Sequence, residues 1–375
     1  EGYLTVEQLP EEEEFQVPGW LVSGGWYSLY VLVGLLSLWY LLQPLWETFL
    51  TNQIKSSMNR GQVDAAEEWV DWGTGIHSYL IKHDDAFRAD YLRQLLKAEE
   101  LERFRREYEA LSGFSPSPFL DQVHAQYLIN QEQWSRALEE AERLQRWVRT
   151  RGQGYLLHGK AALELGQYEQ VQVDANRATQ WIGEHPGTKR LLRDLHFRQG
   201  NYQEALKLAN ELQDLTEGSR WTMDVQDFVR MARINKKLDR HRVAQRMLER
   251  ALDRDPRNQE ALKDLATQYL LEERWERTQP LVEGTAEQRG YRSLFPLDAF
   301  GWWAGSELSR HGGDSARSIR LIERAEDIEP RNPEVHRVKG RLYQYVLEEP
   351  AQAVREYELA RKYGIRRLRF LNELA

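Results

Sequence analysis

The stretch Gly200-Asn201-Tyr202-Gln203-Glu204-Ala205-Leu206 decides the fold, because its pattern recurs along the chain. Gly200-Asn201-Tyr202 precedes Ala205, Ala209 and Leu212, and Gly166-Gln167-Tyr168 precedes Val171, Ala175 and Ala178 with the same offsets. Trp134 stands in the same relation to Ala137, Ala141 and Leu144. Ala137, Val171 and Ala205 are 34 residues apart, and the series resumes at Ala244, Thr278, Ser318 and Ala353, with two steps lengthened to 39 and 40 residues. A period of this length marks one supersecondary unit used repeatedly. The unit reads as two antiparallel helices. A glycine in the left-handed conformation ends the first helix, the aromatic residue two positions later covers the corner, and small residues admit a neighbouring helix. Such a hairpin cannot bury its apolar face alone, so each requires the next.

These residues resemble the tetratricopeptide repeat family. Tyr155, Gly159, Ala162, Gly166 and Tyr168 match in one unit, and Ala244, Leu248, Ala251 and Pro256 in another. Leu262, Leu265, Ala266, Tyr269 and Trp275 match in the next, and Ala325, Pro330, Gly340, Tyr343, Ala353, Tyr357 and Ala360 carry the likeness toward the carboxyl end. It spans residues 115–365. The resemblance implies an all-α fold, an α-solenoid of eight or nine helical hairpins whose concave and end surfaces bind other proteins. Residues 115–375 are assigned to this superhelix and 51–114 to degenerate or capping repeats, where Gly61, Ala66 and Val70 copy the offsets of a turn and second helix. KHDDAFRADYLRQLL and KAEELERFRREYEAL (82–111) read as a helical pair with Asp84 or Asp85 as cap, and Pro116 and Pro118 break the helices after it.

From Phe15 to Trp46 no residue is charged, and the apolar run is long enough to predict a transmembrane helix over 19–50 behind an acidic tail, 1–18. Trp20, Trp26, Trp39 and Trp46 are the expected interfacial anchors in the lipid bilayer. Lys55 and Arg60 follow the span whereas no Lys or Arg precedes it, which favours repeats on the cytoplasmic side of a bacterial inner membrane, with a periplasmic placement as the alternative.

The chain has no cysteine, which excludes disulfides, thiolate metal sites and cysteine nucleophiles. Its 51 Lys plus Arg are interleaved with 59 acidic residues, giving a net charge of -8 that argues against a general nucleic-acid binder. The nine histidines are scattered and form no HExxH or other short ligand cluster, and there is no phosphate loop or nucleophile elbow. His158 and His241 fall at repeat-packing or turn positions. No catalytic residue, cofactor or metal is therefore expected.

If the first helix of each hairpin lines the concave face, as the resemblance implies, Arg190, Arg198, Arg233, Lys236, Lys237 and Lys263 share one basic groove suited to an acidic peptide or an anionic polymer. The competing reading treats them as unrelated solvated charges, some paired with Asp194 or Asp264. Phe295, Pro296, Phe300, Trp302 and Trp303 form an aromatic cluster, expected to pack mostly inside its own repeat. The functional expectation is a membrane-anchored scaffold or assembly subunit that binds other proteins of a membrane complex. By resemblance, such proteins occur in envelope biogenesis, secretion and polymer export; the alternative is a binder of an anionic exopolysaccharide.

Overall fold

The structure, a computed structural model, describes residues 31, 33–35, 37–38, 45–46, 48–57, 60, 62, 64–70, 85–98, 100–112, 117–217, 219 and 221–365. Among them the chain is helical, with one isolated antiparallel bridge between Gly284 and Arg289. Helical residues at 31, 33–35, 37–38 and 45–46 come first, followed by short helical stretches at 48–57 and 64–70. They are followed by α1 (Asp85–Lys97), α2 (Leu101–Ser112), α3 (Pro118–Asn130), α4 (Trp134–Gln145), α5 (Arg151–Glu164) and α6 (Tyr168–Ile182). Next come α7 (Pro186–Arg198), α8 (Tyr202–Thr216), α9 (Val225–Lys237), α10 (His241–Arg254), α11 (Gln259–Leu271) and α12 (Trp275–Val282). The last are α13 (Tyr291–Leu294), α14 (Ala299–His311), α15 (Ser315–Ile328), α16 (Pro333–Tyr345) and α17 (Pro350–Tyr363). Two compact units, Glu1–Leu157 and His158–Ala375, divide the chain.

Local chemistry sets the helix starts. Pro118, Pro186, Pro333 and Pro350 occupy first-turn positions where a missing N–H costs nothing. Asp224 accepts from the Asp227 N–H at 2.8 Å while the Asp227 carboxylate accepts from the Asp224 N–H at 3.1 Å, a reciprocal cap on α9. Asn258, Asp298 and Asn332 cap α11, α14 and α16 with side-chain oxygens.

The turns carry the repeat. Gly166, Gly200 and Gly313 have φ of 74°, 81° and 80°, and Glu132, Asp239, Glu273 and Glu348 have φ of 56°, 59°, 56° and 56°. Each lies five residues before one of Ala137, Val171, Ala205, Ala244, Thr278, Ser318 and Ala353, so the left-handed residue occupies one register position throughout. At six of these turns the following N–H donates to a carbonyl five residues back at 2.9 Å, as from Asn201 to His196 and from Arg274 to Tyr269. All seven marker residues are at most 2% exposed. They are where helices come closest.

Packing within each unit is organised in clusters. In Glu1–Leu157, Ile54, Ala66, Val70, Leu92, Leu95 and Phe104 share one core with Leu120 and Val123. In His158–Ala375, Ala205, Leu212, Phe228, Ile234, Leu248 and Leu265 join α8 through α11, and Ala266, Tyr291, Phe300, Trp303, Ile322 and Val338 join α11 through α16. Phe300 and Trp303 are 2% and 7% exposed, while the half-buried Trp302 donates its indole N–H to the Pro296 carbonyl at 2.9 Å. The aromatic cluster therefore packs mostly within its repeat.

The membrane expectation is corrected. Among the described residues no helix is long and apolar enough to cross a membrane, which overturns the single-pass inner-membrane placement. Trp20, Trp26 and Trp39, the acidic tail and most of 19–50 lie outside the described residues, as do Asp84 and Pro116. Trp46 is described, and its ring stacks on Phe49 at 5.6 Å, which meets Trp69 edge-on at 5.9 Å. Leu50 and Ile54 farther along are 5% and 2% exposed, whereas Val31, Leu35, Leu38 and Leu45 are 61%, 60%, 53% and 69% exposed.

Candidate interaction surfaces

The first helices of successive hairpins in His158–Ala375, namely α5, α7, α9, α11, α14 and α16, carry charged side chains that join each hairpin to the next. Arg190 on α7 and Lys263 on α11 both sit ten residues before their hairpin's left-handed residue. Each reaches the aspartate capping the next first helix, Arg190 to Asp224 at 3.5 Å and Lys263 to Asp298 at 2.9 Å. Arg233 Nε donates to Asp264 at 2.8 Å and Arg198 Nη2 to Glu164 at 2.6 Å. The same logic recurs at Arg341, which donates to Glu307 on α14 at 3.2 Å.

Asp227 is the best-enclosed rung. Its side chain is 1% exposed and accepts from Arg190 at 2.7 Å and from Arg193 at 2.8 Å. Burial alone would raise its pKa, but the two guanidiniums outweigh burial and hold it below the ordinary carboxylate range. Glu307 is the parallel case, burial again being overcome by Arg310, Arg341 and Arg337.

Four of the six basic residues singled out in the sequence, Arg190, Arg198, Arg233 and Lys263, are therefore held by carboxylates of adjacent hairpins. Lys236 and Lys237 stand exposed in the last turn of α9. The structure adds Lys160 on α5, which is exposed. Burial first, and Arg190 second, push its ammonium below the ordinary lysine value, while Asp194 and Asp224 act the other way. Lys160, Asp194 and Arg233 occupy the same register, six residues before their turns. That shared register was the signal that sequence reading missed. The arrangement offers alternating charge tied between hairpins, with the Lys160 ammonium exposed beside it.

Three other clusters are structural. Glu326, His336 and Glu356 bring their ligand atoms within 4.8 Å of one another. Lys339 Nζ, however, lies 2.8 Å from Glu326 and 3.1 Å from Glu356, and His336 spends Nδ1 on Glu356 and Nε2 on the Pro330 carbonyl. An ammonium already serves where a cation would. His158 pairs in the interior with Asp174 at 2.6 Å, as its packing position suggested. In Glu1–Leu157 a cavity of about 400 Å³ lies among α2, α3 and α4. Tyr108 stacks on His124 at 4.2 Å and Phe104 on Tyr127 at 4.6 Å, and Glu140 lies 3.4 Å from His124. Burial raises the Tyr108 phenol well above its ordinary value, and His124 holds the Glu140 carboxyl low. The helical spacing of Phe104 and Tyr108 was the legible signal for this aromatic brace.

No family model matches the sequence, and no curated protein is similar enough to count as a relative. Solved structures do resemble it. The APC/C hetero-tetramer Cut9-Hcn1 superposes with a TM-score of 0.58 at 10% identity, covering 83% of this chain and 58% of that one. The human IFIT1 dimer with PPP-AAAA does so with 0.54 at 15% identity, covering 84% of each chain. A tetratricopeptide repeat protein from Parabacteroides merdae gives 0.45 at 13%, covering 71% of this chain and 97% of that one. The protein thus spans little more than half the length of the Cut9-Hcn1 chain. Identities this low speak to fold alone, and the fold is a tetratricopeptide-like α-solenoid.

Proposed function

We propose that the protein is a non-catalytic scaffold that binds a partner polypeptide along the first-helix face of His158–Ala375. The supporting observation is Lys160, an exposed ammonium with no ion pair among the described residues, on a face where Arg190, Arg198, Arg233 and Lys263 are tethered between hairpins. An exposed ammonium without an ion pair can take a carboxylate from outside, and tethered neighbours reduce the ordering cost of binding. An anionic polymer is the weaker reading, because carboxylates already neutralise Arg190, Arg198, Arg233 and Lys263.

The test is co-purification under mild conditions with the wild-type chain, a Lys160→Glu variant and a Lys236→Glu/Lys237→Glu variant. All three residues are exposed, so circular dichroism should be unchanged. A stoichiometric protein held by the wild type and lost from the Lys160 variant supports the reading. Capture indifferent to both variants removes this face from consideration.

A further inference from the structure

A second charged site lies where consecutive hairpin turns meet. An open recess of about 830 Å³ is lined by His241, Arg242, Gln245 and Arg246 of α10 and by Glu272 and Arg274 of the α11–α12 turn. Arg274 is fixed in place: its Nη1 donates to Gln245 at 3.2 Å, Glu272 lies 3.2 Å away, and its guanidinium sits 4.8 Å from the Tyr269 ring centre. Glu272, the one acidic lining residue, is committed to Arg274 and to Gln268, which donates to it at 3.0 Å.

Arg242 and Arg246 differ from the arginines of the first-helix face. Both are exposed, they stand one helical turn apart on α10, and among the described residues neither forms an ion pair. Like charges at this spacing weaken a helix slightly, so folding gives no reason for the pair. In a chain of net charge -8 it is a local excess of positive charge set in a concavity.

We propose that this recess binds an acidic segment of a protein partner, with carboxylates taken by Arg242 and Arg246 and the anchored Arg274 adding to the positive field. Guanidiniums suit this ligand because each presents two parallel N–H donors to a carboxylate. The site is separate from the first-helix face and does not depend on it.

The probe is a fluorescein-labelled octaglutamate peptide, titrated with the full chain and followed by anisotropy at low and physiological salt. Wild-type protein should bind it, more weakly as salt rises. Arg242→Glu/Arg246→Glu should weaken binding by about tenfold or more with an unchanged circular dichroism spectrum. Lys236→Glu/Lys237→Glu should leave it intact. Equal affinity in the arginine double variant would falsify the assignment. So would equal weakening by the lysine variant, or displacement of the peptide by oligouridylate as readily as by unlabelled octaglutamate, which would make the recess a general polyanion site. If Lys160→Glu abolishes partner capture while octaglutamate binding is unaltered, the two surfaces are independent.

Discussion

At the scale of single residues, the hairpin depends on one backbone conformation. Gly200 at φ 81° adopts it without strain, whereas Glu273 at φ 56° holds its Cβ close to the following carbonyl. Gly200→Ala should therefore destabilise the fold by about 1 kcal/mol, and Glu273→Gly should stabilise it by about 0.5 kcal/mol after the greater entropy of the unfolded glycine is deducted. Urea midpoints check both, and equal shifts of the same sign would sink the explanation. Gly340 faces a different constraint, since a Cβ there would lie 2.5 Å from the Tyr357 ring, which is 1% exposed. Gly340→Ala should cost about 1–3 kcal/mol through overpacking, read as a lower melting temperature. The glycine turns were legible in the sequence. Glu132, Glu273 and Glu348 were not, because glutamate advertises no left-handed preference, and Asp239 gave only the weak signal of a short polar side chain. The distance of each from the next buried small residue gives it away.

At the scale of helices, the pairs between adjacent hairpins tie stability to pH. Asp227 and Glu307 have pKa values below their ordinary range in the folded chain. Unfolded, they return to about 4, so their contribution is fully present above that pH and is lost as pH falls through the lower folded values. Asp227→Asn should cost about 1–3 kcal/mol at pH 7, since it leaves the buried Arg193 with Asp194 as its one carboxylate partner, and should flatten the loss of stability below pH 4. Urea denaturation at pH 7, 5 and 3 measures both effects, and parallel wild-type and variant profiles would refute the linkage. The sequence displayed these arginines plainly but not their partners. Arg193 and Asp227 are 34 residues apart, the repeat interval, and only folding makes that separation a contact. Near one-period spacing opposite charges meet each other, as Arg233 meets Asp264, one of the two aspartates that the competing reading of the basic groove named.

At the scale of the chain, periodicity carried most of the architecture. A repeat signal is cumulative, so the small residues from Ala137 to Ala353 specified a stack even where single hairpins departed from pattern. The membrane placement rested instead on apolar composition, and composition does not distinguish a helix facing lipid from one facing protein. Leu50 is buried while Leu35 and Leu45, of the same residue type, are exposed. Two compact units also imply that unfolding is not one cooperative event. Urea transitions followed by tryptophan fluorescence and by far-ultraviolet circular dichroism should not coincide, and a single superimposable transition would show the units to be coupled.

The pairing of Arg190 with Asp224 and of Lys263 with Asp298 gives the stack a direction. These two junctions each have a cationic side and a capping side, whereas α11 and α16 carry neutral asparagine caps, so hairpins that look interchangeable in backbone carry unlike ends. Excising the α9–α10 hairpin would set Arg190 against Asn258, the neutral cap of α11, in place of Asp224. Inserting a foreign hairpin would need a cation on one side and an aspartate on the other. Growth or shortening of the array by whole units is thus restricted by a two-letter grammar at the joints, read independently of the apolar core.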